Sequence, residues 1–313
     1  MIPAKEIVEV AVKRIAPYIH RTPVLGSRLL NDLTGAKLHF KCENLQKMGA
    51  FKMRGAINAI LQLSEAQKRA GVVTHSSGNF GQALALAAKN LGVAAYIVMP
   101  SSAPKVKIRS VQDYGGLVTL VEPTLAAREA AAHTIVKEKG ATLLHPSNNI
   151  NVIIGQGTAA LELLQDRPDL DRILVPVGGG GLIAGSAIAA HYFDSNCKVI
   201  GGEPFEVDDA YRSLQSGKIE SNLSSNTIAD GLKTQLGDIN FPIIKALVPE
   251  IIRVEEAEII AAMKLIWERM KIIVEPSSAV PFAALIREKE RFKNKKVGII
   301  LSGGNVELSN LPF

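Results

Sequence analysis

Aromatic residues are scarce in this chain. They make up 5% of its 313 residues, with a single tryptophan. A surface that stacks nucleic-acid bases needs more of them. The net positive charge of +6 is scattered, with no run of five or six basic residues. Both deficits argue against a nucleic-acid partner. Cysteine is rarer still: Cys42 and Cys197 are the two, with no CxxC spacing. No disulfide framework or thiolate zinc site can be built from them, and free thiols in a reducing cytoplasm are the expectation. The six histidines are dispersed, no HExxH occurs, and no GK[ST] completes a P-loop. No run of 18 apolar residues exists, so no membrane-spanning helix is expected. Residues 4–16 read as an amphipathic helix stopped by Pro17 rather than as a signal or transit peptide.

What is present is an ordinary globular composition, 47% hydrophobic and 21% charged. The length suits two domains or one large α/β domain. A helix is expected from Lys52 to about Leu63, with Ile57, Ile60 and Leu61 as its apolar stripe. After it, short apolar strands alternate with helices. GVVTHS, AAYIVMP, LVTLVEP and TLLHP read as strands, and the helices between them end at Gly92, Gly115 and Gly140. This pattern means a parallel sheet. It is followed by a second set: GQGTAALELLQD helix, RILVPVG strand, GLIAGSAIAAHYFD helix, KVIGGEP strand, helices at 255–270 and 278–290, and the strand KKVGIILSGG. The early strand KLHFKCEN needs a partner and is assigned to this second sheet. The expected architecture is α/β, with two open, mostly parallel twisted sheets flanked by helices. Residues 70–149 form a small domain inserted in a large domain of residues 1–69 and 150–313.

Open parallel sheets bind ligands beyond the carboxyl ends of their strands, so the loops after the strands are the places to look. GVVTHS is followed by Ser77, Gly78 and Asn79, which suit either a helix cap or a carboxylate-holding turn. RILVPV runs into Gly178, Gly179, Gly180 and Gly181. Four glycines cost about 1 kcal/mol each in backbone entropy, and what they offer in return is a nest of bare N–H groups for an oxyanion. KKVGIIL is followed by Ser302, Gly303, Gly304 and Asn305. KVIGG is followed by an acidic cluster, Glu203, Glu206, Asp208 and Asp209, which is either a helix start or a hard-cation site. Gly179, Gly181 and Ala184 also fit G-x-G-x-x-A, with Glu203 where a dinucleotide site places its ribose acid, so a nicotinamide-dependent oxidoreductase is a competing class.

The stretch GAFKMRGA, residues 49–56, decides between them. Lys52 lies in the first turn of a helix, where the dipole disfavours an ammonium. Phe51 and Met53 reduce its solvation in the same direction. Such a lysine is suited to forming a Schiff base with an aldehyde. A reactive lysine, a phosphate nest and a carboxylate loop belong together in pyridoxal 5'-phosphate chemistry, whereas a dinucleotide enzyme has no use for Lys52.

The ordered motifs HRTPV, KCENLQKMGAFKMRGA, SSGNFGQA, PVGGGGLIAG, ADGLK, WERMK, VEPSSA and LSGGNV run almost end to end. With them the chain resembles the fold-type-II pyridoxal-phosphate enzymes, in the branch of the serine racemases and serine/threonine dehydratases, whose fold is tryptophan-synthase-β-like. The resemblance implies that Lys52 carries the cofactor and moves the substrate α-proton on one face. Phe51 packs by the cofactor ring, Asn79 bonds its phenolic oxygen, Gly178 to Gly181 hold its phosphate and Ser302 faces its pyridine nitrogen. Ser76, Ser77 and Asn79 bind the substrate carboxylate, and Arg128 matches a substrate-proximal arginine. Ser77 stands where racemases place the acid/base of the opposite face, so both serine racemisation and dehydration to pyruvate are implied. A dedicated threonine or threo-3-hydroxyaspartate ammonia-lyase is the alternative. The resemblance further implies that Glu203, the Val207 carbonyl and Asp209 bind Mg²⁺, Ca²⁺ or Mn²⁺. It also implies a homodimer with an ATP effector site drawing on Lys47, Gln82, Lys107, Tyr114 and Asn305. Met48 stands where the mammalian racemases have threonine, and Phe80 replaces the more usual histidine.

Overall fold

A computed structural model describes residues 2–313. In chain order the elements are α1 (Lys5–Ile15), β1 (Val24–Leu25), α2 (Arg28–Thr34), β2 (Lys37–Cys42), α3 (Lys52–Leu61), α4 (Glu65–Ala70), β3 (Val72–Thr74), α5 (Asn79–Asn90), β4 (Ala95–Pro100), α6 (Lys105–Asp113), β5 (Leu117–Val121), α7 (Leu125–Lys139) and β6 (Thr142–Leu143). Then come α8 (Ile150–Asp166), β7 (Arg172–Pro176), α9 (Gly181–Phe193), β8 (Lys198–Pro204), α10 (Asp209–Ser216), α11 (Phe241–Leu247), β9 (Ile251–Val254), α12 (Glu256–Met270), α13 (Pro276–Arg287), α14 (Lys289–Phe292) and β10 (Lys296–Leu301).

Two sheets result. One has the order β1-β2-β10-β7-β8-β9 and the other β5-β4-β3-β6. Every pairing is parallel except that of β1 with β2. The strand KLHFKC therefore pairs with β10, from Lys37 beside Lys296 to Cys42 beside Leu301. Both faces of the larger sheet are covered, which is why its strands are continuously apolar. Along β7, Ile173 and Val175 join the core under α8 and α9, while Leu174 joins the opposite core under α12 and α13. Both cysteines are buried and unbridged.

Helix α3 lies between the two sheets and packs against both α5 and α8. Its Ile57 and Ile60 share a core with Val72 of the smaller sheet and with Phe80 and Leu84 of α5. Toward α8 the approach is close: a Cβ on Gly155 would stand 2.4 Å from the Arg54 carbonyl oxygen. Gly55 and Gly155 thus let two helices meet backbone to backbone, which explains a glycine three residues after Lys52.

Several elements differ from the sequence expectation. α3 ends two residues earlier, at Leu61. α8 begins at Ile150, five residues before the expected start, capped by the Asn149 side chain on the N–H groups of Asn151 and Val152. It is buried along nearly its whole length, so it has no polar face to give a period. α2, α4, α10, α11 and β9 are too short for periodicity to reveal. α2 does carry a Ser27 cap and an αL Gly35 end, and α4 a Ser64–Gln67 capping box. These were legible signals.

Candidate active site

Lys52 is the first residue of α3, and its N-cap, Phe51, offers no side-chain partner. The Nζ lies 4.9 Å from the Phe51 ring centre and 5.8 Å from that of Phe80. It donates to the carbonyl oxygen of Pro146 at 2.8 Å. Burial pushes its pKa down to about 8, opposed by the charge of Glu275. At neutral pH a usable fraction is therefore the free amine, as a lysine that must attack an aldehyde and accept a proton requires.

The loops after the strands converge on this lysine. The segment after β2 runs beside that after β10: the Phe51 N–H donates to the Ser302 carbonyl, and the Gly304 N–H to that of Gly49. Ser302 is buried, its Oγ 3.0 Å from Ser278 Oγ. Ser278 donates its own proton to the Gly303 carbonyl at 2.6 Å, so Ser302 is the donor of that pair. After β3, Ser76, Ser77 and Asn79 are all partly buried. Arg128 of α7 donates to the His75 carbonyl at 3.3 Å, which holds its guanidinium against this loop.

The glycine loop after β7 opens α9. Gly180 is in the left-handed region at φ +79 and provides no side chain as N-cap, so the first N–H groups of the helix are left for another acceptor. No side chain fits here. A Cβ would come within 2.7 Å of Leu232 at Gly178, 2.4 Å of Ser147 at Gly179, 2.6 Å of Leu236 at Gly180 and 2.5 Å of Gln156 at Gly181. This cradle for an anion, together with the amine of Lys52 and the buried hydroxyl of Ser302, fits a phosphorylated aldehyde.

A family model described as pyridoxal-phosphate dependent enzyme matches residues 15–303. The chain belongs to this family. It is 52% identical over 98% of its length to a serine racemase of Dictyostelium discoideum, covering 96% of that protein. It is 45% identical over its whole length to a β-hydroxyaspartate dehydratase of Paracoccus denitrificans, covering 99% of it. The structure of maize serine racemase superposes with a TM-score of 0.96 at 44% identity, over 99% of this chain and 95% of that one. Pyridoxal phosphate is thus the cofactor of this enzyme, and its architecture is the fold-type-II one.

Glu275 is a site residue that sequence reasoning missed. Its carboxylate accepts from the Asn79 amide at 2.9 and 3.1 Å, and the Asn79 Oδ1 accepts from Asn305 at 2.9 Å. Asn79, assigned to the cofactor's phenolic oxygen, is thus engaged within the chain. Burial pushes Glu275 up to about 7, assisted by the charge of Asp230 and opposed by Asn79. VEPSSA contains Glu275, but a glutamate ahead of a proline in a helix start reads as a cap. Nothing local shows that it faces Asn79.

The acidic loop after β8 has a different geometry from a ribose site. Glu203 is fully buried and accepts from the Ala210 and Tyr211 N–H groups of α10, so it has no face for a nucleotide. This corrects the dinucleotide reading of Gly179, Gly181 and Ala184. Asp209 accepts from the Leu236 N–H through Oδ2, while its Oδ1 is buried without a partner. Burial raises Asp209 to about 6; burial and then the Asp209 charge raise Glu203 well above the carboxylate range. Two crowded carboxyls with an orphaned acceptor fit a divalent cation. No third acidic, histidine or cysteine side chain joins them among the described residues. Val207 is buried between them in sequence. Of the nucleotide candidates, Lys107 is paired with Asp230 at 2.6 Å and Asn305 holds the Met48 carbonyl and Asn79. Gln82 is buried in α5, Tyr114 caps α6 and Lys47 lies in a short turn.

Proposed function

We propose that this enzyme interconverts L- and D-serine and, on the same site, removes water and then ammonia from serine to leave pyruvate. The observation that carries the reading is a lysine amine poised near neutrality together with a serine, Ser77, on the loop that Arg128 holds. The 52% identity to a serine racemase supports the same substrate class. Pyridoxal phosphate supplies the aldehyde and the electron sink that acidifies the substrate α-C–H. Lys52 takes or returns that proton at Nζ on one face, and Ser77 Oγ does so on the other. Ser76, Ser77 and Asn79 hold the carboxylate, Asn79 through its backbone N–H because its amide is bonded to Glu275 and Asn305. Gly178 to Gly181 hold the phosphate and Ser302 meets the pyridine nitrogen. A neutral serine there, its O–H turned from Ser278 to that nitrogen, would leave the nitrogen largely unprotonated and so moderate the electron sink. β-Elimination needs the lysine and a proton for the departing hydroxyl; racemisation needs both faces.

A second reading is favoured by Arg128 and by the 45% identity to a β-hydroxyaspartate dehydratase: a threo-3-hydroxyaspartate ammonia-lyase whose arginine meets the second carboxylate. Wild type and Ser77→Ala, each assayed on L-serine, L-threonine and both threo-3-hydroxyaspartates, separate the two. D-serine made by wild type and lost in the variant, with pyruvate persisting, supports the racemase. No D-serine and one dominant hydroxy amino acid would falsify it in favour of the lyase.

The reading extends to Glu203, the Val207 carbonyl and Asp209 as ligands of Mg²⁺, or Ca²⁺ or Mn²⁺, in an ion that orders the loop without reacting. It also includes a homodimer binding ATP with Lys47, Gln82, Lys107, Tyr114 and Asn305, where a phosphate competes with Asp230 for Lys107. Residues 70–149 act as the small mobile domain that swings Ser77 over the substrate. Crystals with and without a dicarboxylate substrate mimic that superpose without relative rotation would refute that motion.

A further inference from the structure

The turn after β6 joins the lysine to the glycine loop. Pro146 presents its carbonyl both to Lys52 Nζ, at 2.8 Å, and to Gln156 Nε2, at 3.0 Å. Ser147 stands against Gly179 and Gly181, and its carbonyl accepts from Asn240 at 3.1 Å. Asn148 bonds Asp238 at 2.7 Å and the Ile239 N–H at 2.9 Å. No regular element holds these three residues, so something else must fix their shape. That group is His145. Its Nδ1 accepts the N–H of Ser147 at 3.2 Å and of Asn148 at 2.8 Å.

We infer that His145 is a positioning residue for the lysine: by accepting two successive N–H groups it folds the turn that aims the Pro146 carbonyl at Lys52 and sets Ser147 against the glycine nest. The inference rests on the reading of Lys52 as the cofactor-bearing acid/base. An imidazole in this role must carry its proton on Nε2 and stay uncharged, since a protonated Nδ1 accepts nothing. Its surroundings favour that form: burial first, then His75, whose ring is 5.8 Å away edge-on, and Lys52 push His145 down to about 4, with Asp238 opposing. The chain contains a second instance of the same device. Asn149 Oδ1 accepts the N–H groups two and three residues on, at 3.0 and 3.2 Å. An asparagine at position 145 can therefore replace the imidazole acceptor, whereas a leucine of similar bulk cannot.

The experiment compares holoenzyme wild type, His145→Leu and His145→Asn in kcat and KM for L-serine from pH 6 to 10. Loss of the Pro146 carbonyl removes an acceptor that favours the ammonium of Lys52. In His145→Leu we expect kcat to fall at least tenfold, KM to stay within threefold, and the limb of the kcat profile governed by the lysine to move about one unit to lower pH. His145→Asn restores kcat to at least a third of wild type and returns the limb. A general packing role would not be rescued by asparagine or move that limb. A leucine variant within threefold of wild type with an unmoved limb overturns the inference, as does an asparagine variant no better than leucine. If His145→Leu does not fold, His145→Asn alone decides, and a kcat below a tenth of wild type overturns it. The underlying reading is checked separately: borohydride must fix the cofactor to wild type and fail to do so in Lys52→Ala. Fixation that survives Lys52→Ala overturns the reading of the lysine and the inference with it.

Discussion

Two residues beyond Lys52, Arg54 is fully buried, and its removal gives a sharp test of what holds the lysine helix in place. The guanidinium donates to Glu43 at 2.7 and 2.8 Å and to Glu162 at 2.8 Å twice, and Glu162 also accepts from Lys41 at 2.7 Å. Two cations and two carboxylates are thus enclosed with no net charge, linking α3 to β2, α8 and the turn after β2. Charge-assisted hydrogen bonds at about 1.5–3 kcal/mol each would suggest that the four bonds are worth about 6–12 kcal/mol. That figure ignores the several kcal/mol needed to bury each ion, and the measured cost of breaking such a pair is about 3–5 kcal/mol. We therefore expect Arg54→Met to destabilise the holoenzyme by about 3–5 kcal/mol in urea unfolding at pH 7 followed by far-UV circular dichroism. Most of that loss comes from the second carboxylate left without its cation. Arg54→Met combined with Glu43→Gln leaves Lys41 facing Glu162 in balance, and should recover at least about 1 kcal/mol relative to the single variant. A single variant that loses less than about 1 kcal/mol, or a double variant whose losses simply add, refutes the charge-balance reasoning. The network also has a pH signature. Despite burial, Arg54 and Lys41 hold the Glu162 carboxyl below its ordinary value. Its contribution is complete above the unfolded carboxylate pKa and is lost as pH falls through the lower folded value.

Three further outcomes are expected. Asp209, raised to about 6, and Glu203, also raised by burial, bind protons more tightly folded than unfolded, so in chelated protein the ionisation of Asp209 costs stability as pH rises through about 6 and that of Glu203 adds to it. Added Mg²⁺ should raise the melting temperature more at pH 8 than at pH 5, and equal shifts would remove Glu203 and Asp209 as ligands. Gly180→Ala must take a φ of +79 and place its Cβ 2.6 Å from Leu236. Cofactor affinity, followed by absorbance on dilution, should drop at least tenfold while far-UV circular dichroism stays native, and unchanged affinity would count against the phosphate nest. Ser278→Ala removes the acceptor of the Ser302 hydroxyl. The cofactor band of the holoenzyme should shift with retained binding, whereas an unmoved band would mean that Ser302 is oriented by something else.

Much of this enzyme is legible in the order of its amino acids. Alternating strands and helices encode themselves locally, because a period of two or 3.6 residues is set by the geometry of the element itself. The glycine nest and the first-turn position of Lys52 are local in the same sense: each is a property of a few consecutive residues and of the helix that follows. Elements only a turn or two long, such as α11, leave no such period, and the all-round burial of α8 hides where that helix starts.

What the tertiary structure alone decided are contacts between residues far apart in the chain. The carbonyl that meets Lys52 is 94 residues away, the glutamate that meets Asn79 is 196 away, and one carboxylate that balances Arg54 is 108 away. No spacing rule links such pairs. They arise when close-packed helices and two sheets bring strand ends to one place, and their desolvation there is what moves Lys52 to about 8 and Glu275 to about 7. A residue type is written in the sequence, but the solvent and charges around it are supplied by the fold.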